Sequence, residues 1–171
     1  NISVTIYEDN STNSAPNREF GVINRFHFFR KYLIDHRTEF DRVFFCDSRD
    51  VVMFTDGFGT FDNETVHFVG ECHSNLTGYC NTFGKSTVLR NWIGFYGHQV
   101  ALKFARQNWP AVNAGIFYGG ITPMIAVLAI IETETNRLNK LVWGADTAVL
   151  NYCYYFAFLL TLKRFFIPVS I

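Results

Sequence analysis

Arg42-Val43-Phe44-Phe45-Cys46-Asp47-Ser48-Arg49-Asp50-Val51-Val52-Met53-Phe54 is the stretch that decides the fold class of this chain. From Arg42 to Cys46 a short apolar run ends abruptly in Asp47, the pattern of a strand buried on both faces and most at home in a parallel sheet. A second apolar run begins at Val51, so Asp47-Ser48-Arg49-Asp50 is a tight polar turn between buried segments. Two carboxylates three residues apart on rigid backbone suit a hard divalent cation, Mn²⁺ or Mg²⁺, which takes oxygen ligands together with a diphosphate. Arg49 would offset carboxylate charge or reach a phosphate oxygen. The same spacing also suits an acidic turn in which Arg49 or Arg42 pairs with the aspartates.

Outward from this turn, elements of two periodicities alternate. Ile2 to Tyr7 is β-branched and alternating, a strand, followed by a polar loop with Pro16. Val22, Phe26, Phe29 and Leu33 recur at helical spacing, with Arg25, Arg30 and Lys31 elsewhere around that helix. Val66 to Gly70 reads as a strand followed by Glu71, and Gln99 to Gln107 as a short helix. Ala111 to Tyr118 reads as a strand interrupted by Asn113 and Gly115. Met124 to Leu138 and Ala145 to Leu162 read as helices, and Phe165 to Val169 as a last strand. No linker or repeat divides residues 1–171, so the expectation is one α/β domain with a mostly parallel central sheet.

Composition narrows the function classes. The 171 residues are 49% hydrophobic with 15 basic and 15 acidic side chains, which excludes a disordered chain and disfavours a partner that is a nucleic-acid polymer. The longest apolar run, Thr147 to Leu162, contains Asn151 and is shorter than the about 20 residues a transmembrane span needs, so none is expected. Aromatic residues make up 18% of the chain, an excess that suits a large core or stacking on sugars and bases. Cys72 and Cys80 bracket a short loop that contains the sequon Asn75-Leu76-Thr77, one of four sequons, the others starting at Asn1, Asn10 and Asn63. A loop of this kind, closed by a disulfide and glycosylated, would belong in the lumen of the secretory pathway, Golgi or ER, while an Asn-rich sequence also yields such a pairing by accident.

In α/β sheets ligands bind at the carboxyl ends of strands, so the polar groups that end apolar runs are the candidate site residues. Besides the Asp47–Asp50 turn these are Asn113-Ala114-Gly115-Ile116-Phe117-Tyr118-Gly119-Gly120 and Trp143-Gly144-Ala145-Asp146-Thr147. Asn113 suits hydroxyl groups, and the glycines allow close approach by a ligand, a bulge or a sharp turn. Asp146 also suits a plain helix cap or first-turn acid.

Taken in order, the aspartate turn, the Glu-ended strand, Asn113-x-Gly115-(x)3-Gly119 and an aspartate opening a helix resemble the nucleotide-diphospho-sugar glycosyltransferases of the GT-A fold. The resemblance is to the branch with an Asp-x-Arg-Asp variant of the Asp-x-Asp motif. Arg25-Phe26, Val43 to Phe54, Asn91-Trp92-Ile93, Asn113 to Gly119 and Asp146 to Asn151 carry it, over residues 20–155. It implies a three-layer α/β fold and a glycosyltransferase, a hexosyl- or pentosyltransferase, that moves a sugar from a nucleotide-diphosphate donor to a hydroxyl on a carbohydrate or glycoprotein acceptor. Asp47 and Asp50 would hold Mn²⁺ or Mg²⁺ and through it the donor diphosphate, and Arg49 would order the turn or touch the donor. Asn113 and the Gly115 backbone would line the donor-sugar pocket. Asp146 would act on the acceptor side as base or hydroxyl binder, with Glu71 a further candidate in the same cleft.

Several features depart from the family. The first βα unit, which cradles the nucleotide base, is missing upstream of Ile2, so the chain reads as a domain truncated at its N-terminus. His27, His36, His67, His73 and His98 all precede Asn113, so none matches the late histidine that serves many members as a third metal ligand. Asp56-Gly57-Phe58 stands where Asp-Pro-Phe is usual. Cys72-His73 with Cys80 lacks the second half of a zinc site, and Gly-x-Ser-x-Gly, Gly-x-Gly-x-x-Gly and Walker loops are missing. The alternative from another class is a non-catalytic lumenal carbohydrate-binding or scaffold domain that keeps the glycosyltransferase fold. Trp92, Trp109, Phe117, Tyr118 and Trp143 are the aromatics expected beside a sugar or nucleobase.

Overall fold

A computed structural model describes residues 18–47, 57–72, 80–140, 142–158 and 169–170. In chain order the elements are α1 (Arg18–Asp35), β1 (Arg42–Cys46), β2 (Val66–Gly70), α2 (Thr87–Ile93), α3 (His98–Gln107), β3 (Val112–Gly120), α4 (Ile121–Leu138), α5 (Ala145–Tyr152) and β4 (Val169–Ser170). A π-helical stretch, Cys153–Phe158, continues α5. The class is mixed α/β. No described helix is long and apolar enough to cross a membrane. The strand expected at Ile2–Tyr7 and most of the one expected at Phe165–Val169 lie outside the described residues.

The strands lie in the order β1-β3-β2-β4. β3 pairs antiparallel with β1, Phe45 opposite Phe117, and antiparallel with β2, Phe68 opposite Phe117. β2 and the two-residue β4 pair in parallel. Among the described residues the sheet is not mostly parallel as expected: β1, β2 and β4 share one direction, but β3 runs against them in the middle. The apolar run of β1 does not report strand direction. It reports burial on both faces, which a neighbour of either sense provides once helices and aromatic rings cover the sheet.

One sheet face packs against α1, α4 and α5. Phe26 and Leu33 of α1, Phe68 of β2, Phe117 of β3 and Met124, Val127, Leu128 and Ile131 of α4 are fully buried there. The α4 residues recur every three to four positions, the stripe an amphipathic helix turns to a core, and Pro123 sits in its first turn, where no intrahelical N–H is lost. The opposite face carries the alternate residues of the same strands. There Phe44 stacks on Tyr118 at 4.7 Å and Tyr118 on His67 at 5.0 Å, with Phe61 packed beside them. A second cluster joins α2 and α3 to the end of α5: Phe83, Leu89, Ile93, Phe104 and Ala111, flanked by Trp109, Tyr155 and Phe156.

Helix α2 (Thr87–Ile93) is not among the elements expected from sequence, which singled out only the Asn91-Trp92-Ile93 box there, as part of the resemblance. Its start is fixed by Ser86, whose side chain accepts from the Leu89 N–H. Gly119 and Gly120 serve the fold and not a ligand. A Cβ on either would overlap the backbone of Asn63, Thr65 or Val66, so their close approach is to this chain itself.

Asn151 fastens α5 to the sheet. Its Oδ1 accepts from the Val112 N–H at 2.8 Å, and its Nδ2 donates to the Val112 carbonyl at 2.9 Å, in full burial. Asn151→Leu removes both partners of one backbone residue and should cost about 2–4 kcal/mol in denaturant unfolding. Asn91→Ala, on the exposed side of α2, should stay within about 0.5 kcal/mol of the parent.

Candidate functional site

Asp47 leaves β1 at its carboxyl end and stays attached to β3, its backbone N–H donating to the Gly115 carbonyl at 2.7 Å. Opposite, the β2–β3 register is irregular: Phe68 faces Phe117 but Gly70 faces Val112, so β3 carries extra residues over 113–116. Within that bulge Asn113 folds back, its Oδ1 accepting from the Gly115 N–H at 2.6 Å. A Cβ at Gly115 would overlap the Asp47 carboxylate. The glycine therefore admits a side chain of this chain, and the Asn113 oxygen expected to meet a donor sugar is held by backbone.

The centre of the arrangement is Arg25, which the sequence placed away from the core face of its helix. Nη1 donates to Asp47 Oδ1 at 2.5 Å, and Nη2 donates to Asp146 Oδ2 and to the Ala114 carbonyl, each at 2.8 Å. The guanidinium lies over the rings of Phe26 and Phe45, 5.2 and 5.4 Å from their centroids, which satisfies its weakly hydrated faces. Its Nε is buried without a partner among the described residues. The signal was present in the sequence: Val22, Arg25, Phe26 and Phe29 are spaced i, i+3, i+4, i+7, so Arg25 occupies a core-facing position of the stripe.

Asp146 stands in the first turn of α5, where the N–H groups of the helix start favour a negative charge, and it is a first-turn acid, not the cap. It is 7% exposed. Burial pushes its carboxyl pKa above the ordinary 3.8, opposed by the Arg25 charge and by the Thr147 N–H. The residue before the helix, Gly144, has φ 83°, a left-handed conformation, and the Trp92 indole fills the space a side chain there would take. The Asn91-Trp92-Ile93 box thus acts through Trp92, which sets the entry to α5 and so the place of Asp146.

The remaining expected residues are distributed differently. Glu71, just past β2, accepts from Asn81 Nδ2 at 2.7 Å next to the Cys72–Cys80 disulfide, and no described contact joins it to Arg25, Asp47 or Asp146. Arg42 does not pair with Asp47; it donates to the Phe58 and Phe61 carbonyls. Arg49 and Asp50 lie outside the described residues. Phe117 is sealed in the main core, Tyr118 belongs to the ring stack on the opposite sheet face, and Trp109 stacks on Tyr155 at 4.3 Å in the second cluster. Those three aromatics are structural. Trp143 is 60% exposed, three residues before Asp146.

A divalent cation does not fit the described donors by themselves. No group of three His, Cys, Asp or Glu side chains among the described residues could hold one, and Asp47 Oδ1 is already taken by a guanidinium. What the arrangement does hold is a buried carboxylate and a half-buried one, linked by one arginine at the carboxyl end of β1. In comparison with known proteins, no family model, curated protein or solved structure matches this chain.

Two measurements test this arrangement. Arg25→Met leaves Asp146 buried without its counter-charge and should destabilise the fold by about 2–4 kcal/mol. Adding Asp146→Asn should return about 1–3 kcal/mol of that loss, measured as the coupling in a double-mutant cycle. The second concerns pH. A carboxyl whose pKa is raised on folding contributes stability that is present below its unfolded value and lost as pH rises through the folded one. The stability of the parent relative to Asp146→Asn should therefore fall as pH climbs from about 3.8.

Proposed function

We propose that this chain is a glycosyltransferase domain of GT-A-like, three-layer architecture that moves a sugar from a nucleotide-diphosphate donor to a hydroxyl acceptor. The observation that supports the reading best is the meeting of Asp47, the Asn113–Gly115 bulge and Asp146 around Arg25. These come from three motifs far apart in sequence, each assigned to the same site by the order in which they occur. The site's position at the carboxyl end of β1 is where α/β sheets bind ligands.

In this reading Asp146 faces the acceptor. Its raised pKa suits a group that takes the proton of an acceptor hydroxyl as that oxygen attacks the anomeric carbon and the bond to the diphosphate breaks. Arg25 holds the Asp146 carboxylate in place, and Trp143 offers an exposed ring beside it for a sugar face. The Asp47–Asp50 turn would be the place of Mn²⁺ or Mg²⁺ and the diphosphate, with Arg49 ordering that turn. Asn113 and Gly115 shape the donor-sugar side through backbone. Glu71 has no role in it. The Cys72–Cys80 disulfide supports an oxidising compartment, the lumen of the Golgi or ER, with a carbohydrate or glycoprotein as acceptor.

One observation favours the second reading, a non-catalytic carbohydrate-binding or scaffold domain: both described carboxylates of the site are satisfied within the chain by Arg25. Calorimetric titration with a panel of nucleoside diphosphates and their sugars, with and without Mn²⁺, separates the two. The glycosyltransferase reading expects Mn²⁺-dependent binding of at least one nucleotide, weakened about tenfold or more by Asp47→Asn. Absence of nucleotide binding under every condition sinks it and leaves the scaffold.

A further inference from the structure

A second group of polar side chains lies between α1 and α4 and makes no described contact with Asp47 or Asp146. Asn24 and His27, one turn apart on α1, and Glu132, Thr135 and Asn136, at spacing i, i+3, i+4 on α4, line a cleft of about 320 Å³ with buried Phe26 in its wall. His27 and Asn136 are exposed, so the cleft opens to solvent beside them. His27 Nδ1 meets Glu132 Oε1 at 2.6 Å, and Arg30 Nη1 donates to Glu132 Oε2 at 2.8 Å. A carboxylate only accepts, so neutral His27 carries its proton on Nδ1 and keeps Nε2 as an acceptor. Nε2 and the carboxamides of Asn24 and Asn136 have no hydrogen-bond partner among the described residues. Thr135 Oγ1 donates to the Ile131 carbonyl, which leaves its own lone pairs open.

The chemistry of this lining selects its guest. Arg30 offsets the Glu132 charge, so with His27 neutral the cleft favours an uncharged molecule. Its open groups are carboxamide donors together with carboxamide, hydroxyl and imidazole acceptors, set close around a small space. Hydroxyl groups, which donate and accept at once, satisfy such a mixed set, whereas an anion only accepts and an ammonium only donates. The volume stands at the low end of the roughly 300–1,000 Å³ of ligand pockets, room for one ring and not for a nucleotide. We propose that the α1–α4 cleft binds a neutral sugar, one pyranose ring in size, through Asn24, His27, Thr135 and Asn136. Glu132 is the positioning residue, fixing the His27 ring and its tautomer. Neither a nucleotide nor a cation takes part, so this cleft is separate from the transfer site built around Asp146.

The test is titration of the nitrogen-15-labelled chain with glucose, galactose, mannose, xylose and N-acetylglucosamine. The resonances to follow are the side-chain amides of Asn24 and Asn136 and the ring nitrogens of His27. At least one sugar should move all three, and Asn24→Ala, His27→Ala and Asn136→Ala should each weaken its binding about fivefold or more, the loss of one hydrogen bond. Asn136 is exposed, so its variant keeps the fold and decides the matter should either of the others not fold. No binding of any sugar in the panel overturns the inference. Binding that moves other residues instead, or that ignores Asn136→Ala, overturns it as well. Mn²⁺-dependent nucleotide binding with no sugar in the cleft leaves the glycosyltransferase reading standing and this inference fallen. A sugar in the cleft of a chain that binds no nucleotide does the reverse.

Discussion

A single arginine side chain sets the terms for one end of this molecule. Arg25 rises from α1 between two carboxylates and a carbonyl contributed by β1, β3 and α5, on a bed of phenylalanine rings. A guanidinium is planar, permanently charged and weakly hydrated, so it tolerates this enclosure where an ammonium would not. The enclosure in turn makes each partner matter, since a buried carboxylate without a counter-charge is costly. Asp146 shows both sides of that balance: burial lifts its pKa, and the arginine pulls it back.

Features that look unrelated in the sequence follow from this constraint. Gly115 carries no side chain because the Asp47 carboxylate passes where one would be. Gly144 is left-handed, with Trp92 stacked on it, because α5 must begin where Asp146 reaches the guanidinium. Asn151, one turn further along α5, ties the same helix to the backbone of Val112 just before the bulge. The aromatic excess serves the same end by covering both faces of the sheet formed by the described strands. A phenylalanine core lies under α1 and α4, a Phe44–Tyr118–His67 stack covers the other face, and a third group lies beneath α2 and α3. Trp143, three residues before Asp146 in sequence, is exposed and belongs to neither core cluster.

Much of the secondary structure was legible because apolar period and apolar run length are local properties. The helix at Gln99–Gln107 and the strands at Arg42–Cys46 and Val66–Gly70 lie within a residue of where periodicity puts them. Strand direction was not legible, since a run such as Val43–Cys46 is equally buried beside a neighbour of either sense. Helix α2 was hidden because its buried positions, Leu89 and Ile93, are few and its start depends on a serine cap. Among site residues, Asp47, Gly115 and Asp146 could be singled out as polar or small groups interrupting apolar runs. Glu71 satisfied the same rule, but among the described residues its carboxylate engages Asn81 beside the disulfide and makes no described contact with them.

By itself, the sequence determined the α/β class, most of the element positions, the cysteine-bracketed loop and the list of polar groups at strand and helix ends. Each depends on neighbours within a few residues. Only the tertiary structure decided which of those groups share a site, that β3 runs against its neighbours, and that an arginine on the first helix is the hub. Those facts depend on contacts between residues 22 to 121 positions apart, set by packing and burial; the local pattern puts Arg25 on the core-facing stripe of its helix but names none of its partners.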